Sequence, residues 1–353
     1  MPEILAIQPF LDGSGPVLDA RSPGEFAKAH LPGAVNLPLF SDAERAAVGT
    51  CYHQVGREQA VELGLGFVGP KLLALVQRAK QIAPERRLRL HCWRGGMRSS
   101  SLAWLLETAG FRVELLAGGY KAYRRWVREV LAQPRPIWMV GGMTGTGKTL
   151  VLEALASLGE QMLDLEGLAN HRGSSYGNVC LPPQPSTEQY ENLLAERWAG
   201  FDPGRRVWIE AESRQVGRCR IAPELFGQME RSPILEIQRS RAERIALLES
   251  VYGEADPEEL IEATRRIGRR LGPQNTQAAV EAIRQGDLAP AIERVLDYYD
   301  KSYRYDLERR TVPRHARQVT GLTPLAAAAD LLDQARKLEV VAEDGETQAE
   351  QDQ

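Results

Sequence analysis

The sequence predicts an α/β protein with two parallel-sheet domains and a helical extension after the second. The chain has 353 residues, a length that favours two domains. Short apolar segments alternate with helix-like segments, as in parallel sheets covered by helices. A glycine-rich stretch from Gly142 to Thr149 lies near the middle, between an apolar segment and the start of a helix.

Composition excludes several classes of protein. The net charge of −3 excludes a globally basic nucleic-acid binder, although not a local basic face. We find no run of 18 apolar residues and no secretory signal at the N-terminus, so we expect no membrane association. The four cysteines are far apart and include no C-x-x-C pair, which favours a reducing compartment. A cytoplasmic location is therefore expected.

Changes in pattern along the chain give the domain boundaries. We predict a first domain over residues 4–131 and a stiff linker over 132–136, which contains Pro134 and Pro136. The second domain should cover 137–337, and its part from Asp256 onward has a helical pattern. The acidic, polar segment 338–353 is predicted to be a disordered tail.

The first domain alternates strands with helices. Ser22 and Pro23 fit the N-cap and first position of a helix that follows a strand over 17–19. Further strands are predicted over 87–90 and 113–115, and helices over 99–109 and 120–131.

Cys92 is the most informative residue of this domain. It lies between a strand and a glycine-containing loop that leads into a helix, with Arg94 and Arg98 nearby in sequence. Backbone N–H groups, a helix N-terminus and arginines all favour a thiolate. Cys92, Arg94 and Arg98 are therefore candidate catalytic residues. The alternative is a buried, inert cysteine, the commonest fate of a free thiol.

The segment from Cys92 to Ser99 resembles the active-site loop of rhodaneses, the sulfurtransferase modules, with the pattern C-x-x-G-x-x-R-[ST]. Asp19–Ser22 and His30–Asn36 resemble further rhodanese segments. The resemblance implies a rhodanese-like fold for the first domain. The segment from Phe40 to Phe67 is longer than a minimal rhodanese needs, and its Cys51 is either a second reactive thiol or a packed side chain.

The glycine-rich stretch matches the phosphate-binding loop pattern G-x-x-x-x-G-K-[ST], in which the backbone N–H groups surround phosphate oxygens. Lysine supplies a charge, and threonine a hydroxyl for a metal or an oxygen. The phosphate-binding candidates are Gly142, Gly145, Gly147, Lys148 and Thr149. The second domain is thus predicted to be a P-loop α/β domain. The alternative is a glycine-rich turn without a ligand.

Polar residues that follow predicted strands could complete this site. A strand ending in Glu210 and Glu212 should lie beside the phosphate loop and could hold Mg²⁺, with no basis for choosing between the two acids. Other candidates for a metal or phosphate shell are Asp164, His171, Arg172 and Arg239. Asp164 is placed at the end of a strand over 161–167. A surface loop and solvated helix charges are the alternatives for the basic residues.

The helical part combines basic and aromatic side chains, which suits contacts to RNA phosphates and bases. The RNA-binding candidates are Arg265, Arg269, Tyr303, Arg309 and Arg310. Tyrosines at helical spacing are also common in protein cores.

A rhodanese loop followed by a P-loop in one chain resembles the tRNA 2-selenouridine synthase family, as does the segment Asp164–Gly177. This resemblance implies a tRNA substrate with 2-thiouridine at the wobble position. It implies geranylation of the sulfur by geranyl diphosphate, followed by replacement with selenium from selenophosphate. Cys92 would serve the selenium step, as a nucleophile or as a selenium holder. We expect no tightly bound cofactor, and Mg²⁺ is compatible with the site.

Two other functions fit parts of the pattern. One is an ATP-dependent kinase or NTPase fused to a sulfurtransferase, for which phosphate release without RNA would be diagnostic. The other is a sulfur-carrier module in which the P-loop only regulates binding, so that no RNA would be turned over.

Overall fold

The computed structural model describes residues 2–308 and 311–351. The chain forms two units, one of Met1–Val130 with Glu191–Glu196 and one of Leu131–Tyr190 with Arg197–Gln353. The boundary after Val130 lies beside the one predicted at residue 131. The short segment Glu191–Glu196 belongs to the first unit although it lies far along the chain.

The first unit contains a five-stranded parallel sheet in the order β1-β5-β4-β2-β3. Its strands are β1 (Glu3–Leu5), β2 (Val17–Asp19), β3 (Val35–Asn36), β4 (Arg87–His91) and β5 (Arg112–Leu116). Its helices are α1 (Ile7–Asp12), α2 (Pro23–Lys28), α3 (Asp42–Gln54), α4 (Arg57–Val68), α5 (Leu72–Ile82), α6 (Met97–Thr108) and α7 (Gly119–Ala132). Because the strands are parallel, the chain after Asp19 and the chain after His91 leave the sheet at the same edge.

Local sequence explains where α2 begins. The Ser22 hydroxyl accepts a hydrogen bond from the Glu25 backbone, and the Glu25 carboxylate accepts one from the Ser22 backbone. Pro23 occupies the first helical turn, where its missing N–H costs nothing. The predicted N-cap is thus confirmed. Below the helices, Leu88, Leu90 and Leu102 are fully buried in one apolar core.

The second unit contains another five-stranded parallel sheet, in the order β12-β11-β6-β8-β7, and a small antiparallel hairpin of β9 and β10. Its strands are β6 (Ile137–Gly141), β7 (Gln161–Leu163), β8 (Val207–Glu210), β9 (Gln215–Val216), β10 (Cys219–Arg220), β11 (Ile234–Gln238) and β12 (Arg314–Gln318). Its helices are α8 (Lys148–Ser157), α9 (Leu165–Ala169), α10 (Thr187–Ala199, of which Glu191–Glu196 is grouped with the first unit), α11 (Pro223–Met229), α12 (Arg241–Tyr252), α13 (Pro257–Leu271), α14 (Pro273–Arg284), α15 (Leu288–Glu308) and α16 (Pro324–Gln351). The α/β class and the pair of parallel sheets agree with the prediction.

Three predicted elements differ from the structure. The helical part is interrupted by β12, which pairs with β11 as an edge strand; of its five residues only Ala316 is apolar, so the sequence carries no strand pattern. The strand predicted over 161–167 ends at Leu163, because Asp164 caps α9 by accepting a hydrogen bond from Gly167. Helix α16 continues to Gln351, into the segment for which the sequence predicted disorder.

The first unit contains one apolar helical run, Arg57–Ile82, that meets the length and composition expected of a membrane span. It consists of α4, a single 3₁₀ turn and α5. Length and composition alone are a weak indication, since core helices of globular domains satisfy them too. Leu75 and Ala79 of α5 pack in the core of the first unit, but only 17% of the most apolar window of this run is buried.

Candidate functional site

The thiol of Cys92 lies in the first unit at the end of β4. The residue is 2% exposed, and its Sγ lies 3.1 Å from the Ser99 hydroxyl and 3.9 Å from the Gly96 carbonyl oxygen. Gly96 and Ser99 belong to the turn and first residues of α6. The predicted strand–loop–helix context is therefore confirmed, with the sulfur buried beneath the loop.

The two arginines of the loop have different surroundings. Arg98 donates a hydrogen bond from Nη1 to Glu25 Oε2 at 2.7 Å, whereas the Arg94 side chain is exposed. Burial opposes ionisation of Glu25, but the hydrogen bond and charge of Arg98 outweigh it and lower the pKa of this carboxyl. Arg98 is thus fixed by an acid from α2, and Arg94 is the arginine that faces solvent.

Buried polar residues pair with each other at the end of the neighbouring strand, β2. Arg21 is 1% exposed and forms an ion pair with Asp19, with Nη2 and Oδ2 2.6 Å apart. Its guanidinium lies 3.8 Å from the centre of the Tyr120 ring, and the Tyr120 backbone N–H donates to the Cys92 carbonyl. The rhodanese-like Asp19–Ser22 segment therefore connects through Tyr120 to the thiol loop.

The segment that is longer than a minimal rhodanese forms α3 and α4. Residues of α3, together with Phe40 and Arg98, line a cavity of about 580 Å³. Cys51 lies in α3 and is partly buried. The extra segment thus supplies a cavity wall beside an arginine of the thiol loop.

The phosphate loop follows β6 in the second unit, and α8 begins at Lys148. Gly142 has φ +149°, and a Cβ there would come within 2.8 Å of the Ile237 carbonyl and 2.6 Å of the Thr146 hydroxyl. Only glycine fits both this conformation and this space. The Lys148 ammonium donates to the Gly142 carbonyl at 3.2 Å, so its charge lies over the loop. The predicted strand–loop–helix arrangement is confirmed.

Three carboxylates converge below this loop: Glu166, Glu210 and Glu212 each place an oxygen within 4.8 Å of the others. Thr149 donates its hydroxyl to Glu210 Oε1 at 2.8 Å and lies 3.5 Å from Glu166 Oε2. The second oxygen of Glu210 is buried and has no hydrogen-bond partner among the described residues. Both acids expected from β8 are therefore in the site, and Glu166 from α9 joins them.

Burial and mutual repulsion change the ionisation of this cluster. Burial, with repulsion from the neighbouring carboxylates, raises the pKa of Glu166 to about 9 and that of Glu210 to about 7. Burial alone would lower the pKa of Lys148, but the charges of Glu212, Glu210 and Glu166 outweigh it and raise this pKa. Such carboxylates gain from a nearby cation, and oxygen ligands beside a P-loop threonine suit Mg²⁺. The donor set and the unpartnered Glu210 oxygen fit a divalent cation.

The other residues predicted to form a metal or phosphate shell differ in whether they line the cleft around the phosphate loop. Asp164 and Arg172 line the cleft around the phosphate loop, which has a volume of about 1080 Å³. His171 is buried, and its burial and the charge of Arg266 lower its pKa. Arg239 donates to the Thr146 carbonyl at 3.1 Å and to Glu243, so it braces the loop from outside the cleft lining.

The RNA candidates are dispersed. Arg265 and Arg269 are exposed on α13. The Tyr303 hydroxyl accepts a hydrogen bond from the Gly142 backbone, so this tyrosine lies at the phosphate loop. Arg309 and Arg310 lie outside the described residues.

Sequence reasoning missed the role of Glu166 and the pairing of Arg244 with Asp300. Glu166 was not singled out, although it lies two residues after the acidic Asp164. Arg244 of α12 donates Nε to the Thr144 carbonyl at 2.8 Å and forms a buried pair with Asp300 of α15. This pair carries no local motif, because its members are 56 positions apart.

Models of known protein families match both halves of the chain. The family model described as a rhodanese-like domain matches residues 7–125, and the one described as the tRNA 2-selenouridine synthase AAA domain matches 135–286. Proteins named tRNA 2-selenouridine synthase are similar over 84% of this chain and 89–90% of their own length. Those from Pseudomonas putida, strain F1, and Bordetella bronchiseptica are both 38% identical, and that from Marinobacter nauticus is 35% identical.

The two family-model matches include the thiol loop and the phosphate loop, and the relatives cover most of the chain. The chain therefore belongs to the tRNA 2-selenouridine synthase family of enzymes.

Proposed function

We propose that this enzyme converts wobble 2-thiouridine in tRNA to 2-selenouridine in two steps. In the first, the thiocarbonyl sulfur attacks the C1 atom of geranyl diphosphate, a C–S bond forms, and inorganic diphosphate leaves. In the second, selenium from selenophosphate bonds to C2, the geranylated sulfur leaves as a thiolate, and water takes the phosphoryl group as phosphate. Alkylation turns a poor leaving group into a better one.

The observation that carries this proposal is the phosphate cleft, in which Lys148 faces a loop built to surround phosphate oxygens. Cleavage of a carbon–diphosphate bond develops negative charge on the departing oxygens. A fixed ammonium and backbone N–H groups stabilise such charge. The first step therefore belongs to the second unit.

A magnesium ion held by Glu166, Glu210 and Glu212 would neutralise further charge on the diphosphate. The supporting observation is the buried Glu210 oxygen without a partner among the described residues. The Thr149 hydroxyl, already bonded to Glu210, is next to this position. The ion would arrive with the substrate, as for other P-loop domains.

Cys92 suits the second step as a nucleophile. Its thiolate can add to C2, expel the geranylated sulfur, and then be displaced by selenium, so that no electrons are gained or lost overall. Holding selenium on the thiol as an S–Se bond would require an oxidant, because selenium in selenophosphate is at the selenide level. The Ser99 hydroxyl, 3.1 Å from Sγ, can donate a hydrogen bond to the thiolate.

Mass spectrometry of wobble nucleosides tests the proposal. Cells that lack the gene should contain 2-thiouridine with or without added selenium, and the restored gene should yield 2-selenouridine only with selenium. If cells without the gene still form 2-selenouridine, this chain is not the synthase. Steady ATP hydrolysis by the purified protein without tRNA would instead favour the NTPase alternative.

A further inference from the structure

We propose that an apolar cavity among α12, α13, α14 and α15 holds the hydrocarbon chain of the alkyl diphosphate donor. This inference rests on the proposed function and deepens it, because it assigns the part of the substrate that the phosphate loop does not recognise.

The lining is suited to hydrocarbon. Leu260 of α13, Ile283 of α14, and Ala291 and Val295 of α15 belong to the part of the wall that is not shared with the phosphate cleft. All four are less than 10% exposed. Each methylene that leaves water for such a wall contributes about 0.8 kcal/mol.

Two tyrosine hydroxyls on this wall already have hydrogen-bond partners. The Tyr176 hydroxyl lies 2.8 Å from the Thr264 hydroxyl, and the Tyr299 hydroxyl accepts from the Ser175 backbone at 2.8 Å. A nucleobase or a sugar would bring polar groups that need partners of their own. The wall therefore favours an alkyl chain over the base of a nucleotide.

The cavity adjoins the phosphate cleft. Thr144, Ser174, Leu248, Tyr252 and Tyr299 line both, and Thr144 is itself part of the phosphate loop. A ligand with its phosphates beside Lys148 can thus extend its apolar part past these five side chains. Diphosphate and chain are bound by adjoining surfaces of one unit.

The volume of the cavity limits the length of the alkyl chain that it can hold. The cavity has a volume of about 50 Å³, whereas the adjoining cleft has about 1080 Å³. A single water needs roughly 10–15 Å³ by this kind of measure, so the cavity takes the end of a chain and the cleft takes the rest. A larger side chain at its inner wall should shorten the chain that fits, and a smaller one should lengthen it.

Titration calorimetry on the full chain tests this, with geranyl diphosphate, dimethylallyl diphosphate and inorganic diphosphate as probes. Ala291→Leu should weaken binding of geranyl diphosphate by roughly tenfold or more, which corresponds to about 1.4 kcal/mol. Its affinity for inorganic diphosphate should not change, which also shows that the variant is folded. Ala282→Leu is the matched control, since Ala282 packs against the same apolar core without lining the cavity.

These measurements distinguish a wrong alkyl donor from a wrong location of its hydrocarbon chain. If wild-type protein binds geranyl diphosphate no more tightly than inorganic diphosphate, the proposed alkyl donor is wrong, and the inference fails with it. If wild-type protein prefers geranyl diphosphate and Ala291→Leu keeps that preference, the donor stands and the chain lies elsewhere in the cleft.

A second variant decides the matter if Ala291→Leu does not fold. Ile283→Ala should bind the longer farnesyl diphosphate several-fold better, relative to geranyl diphosphate, than wild-type protein does. An unchanged ratio would remove the cavity from the binding site.

Discussion

The thiol loop and the phosphate cleft are built in different ways. The thiol loop is nearly contiguous in sequence: Cys92, Gly96 and Ser99 form the contacts of the sulfur, and Glu25 and Tyr120 contact the loop from elsewhere in the chain. The cleft is assembled from the phosphate loop, Glu166, the end of β8 and Tyr303. A contiguous site can be recognised from its motif, whereas an assembled one depends on the packing of the whole unit.

The two sites also differ in charge. The thiol loop combines a soft nucleophile with arginines, one of them paired with Glu25. The cleft holds three carboxylates around a lysine and a threonine, which suits a cation and a leaving diphosphate. We therefore expect substitutions in the two units to stop different steps.

Glu210→Gln should lower the rate of tRNA alkylation by about 10²–10³-fold at saturating substrate, because a charged ligand is lost from the cation site. Added Mg²⁺ should no longer raise the thermal unfolding temperature of this variant in the presence of inorganic diphosphate. Glu230→Gln is the control, since Glu230 borders the same cleft outside the carboxylate cluster. Equal rates for Glu210→Gln and wild-type protein would contradict the assignment of a cation site.

Asp300→Ala should destabilise the second unit by about 3 kcal/mol, because it leaves the Arg244 guanidinium buried without its acid. Asp297→Ala provides the control on the same helix, where Asp297 pairs with the more exposed Arg241. That change should cost less than about 1 kcal/mol. Thermal unfolding measures both, and equal losses would show that the buried pair does not brace the phosphate loop.

Replacing Arg265 and Arg269 together by alanine should weaken tRNA binding and reduce its salt dependence. Two phosphate contacts correspond to a slope change of about 1.8 in the logarithmic salt plot. Arg78 and Lys80, both exposed on α5, give a control double variant with the same change in charge. If both double variants keep the wild-type affinity and slope, α13 is not part of the RNA interface.

Glu25→Gln should have a small, pH-dependent effect on stability. Because Arg98 keeps the pKa of Glu25 below 4.5, the ion pair contributes above that pH and is lost as the pH falls through the lowered value. With Glu25 partly exposed, we expect a difference of about 0.5 kcal/mol near pH 7 that vanishes in acid. Denaturant unfolding at several pH values measures it, and a difference that grows in acid would contradict the sign.

Features that depend on neighbouring residues could be predicted from the sequence, whereas features that depend on packing could not. The N-cap at Ser22 and the phosphate loop at Gly142 were predictable, because turn chemistry and glycine conformation act within a few residues. Strand β12 was missed, since only one of its five residues is apolar and its pairing with β11 is non-local. Glu166 and the pair of Arg244 with Asp300 were also missed, because only packing brings them to the loop.

Tyr303 shows how one pattern can suit two environments. Its place among aromatic and basic residues suggested RNA, but its hydroxyl binds the Gly142 backbone N–H. Helical spacing shows which face of α15 carries Tyr303, but it does not show which residues that face contacts. Tyr303 contacts the phosphate loop, which is distant in sequence, so no local pattern could have predicted this contact.

The division of labour between the units is tested most directly by the wobble nucleosides of two variants in cells supplied with selenium. Lys148→Ala should leave 2-thiouridine, because the phosphate loop no longer stabilises departing diphosphate and alkylation falls by about 10²–10³-fold. Cys92→Ser should still alkylate and should accumulate S-geranyl-2-thiouridine without 2-selenouridine. Lys121→Ala, at an exposed lysine of α7, should yield 2-selenouridine as wild-type protein does. If both active-site variants leave the same nucleoside, the two units do not perform separate steps, and the account is wrong.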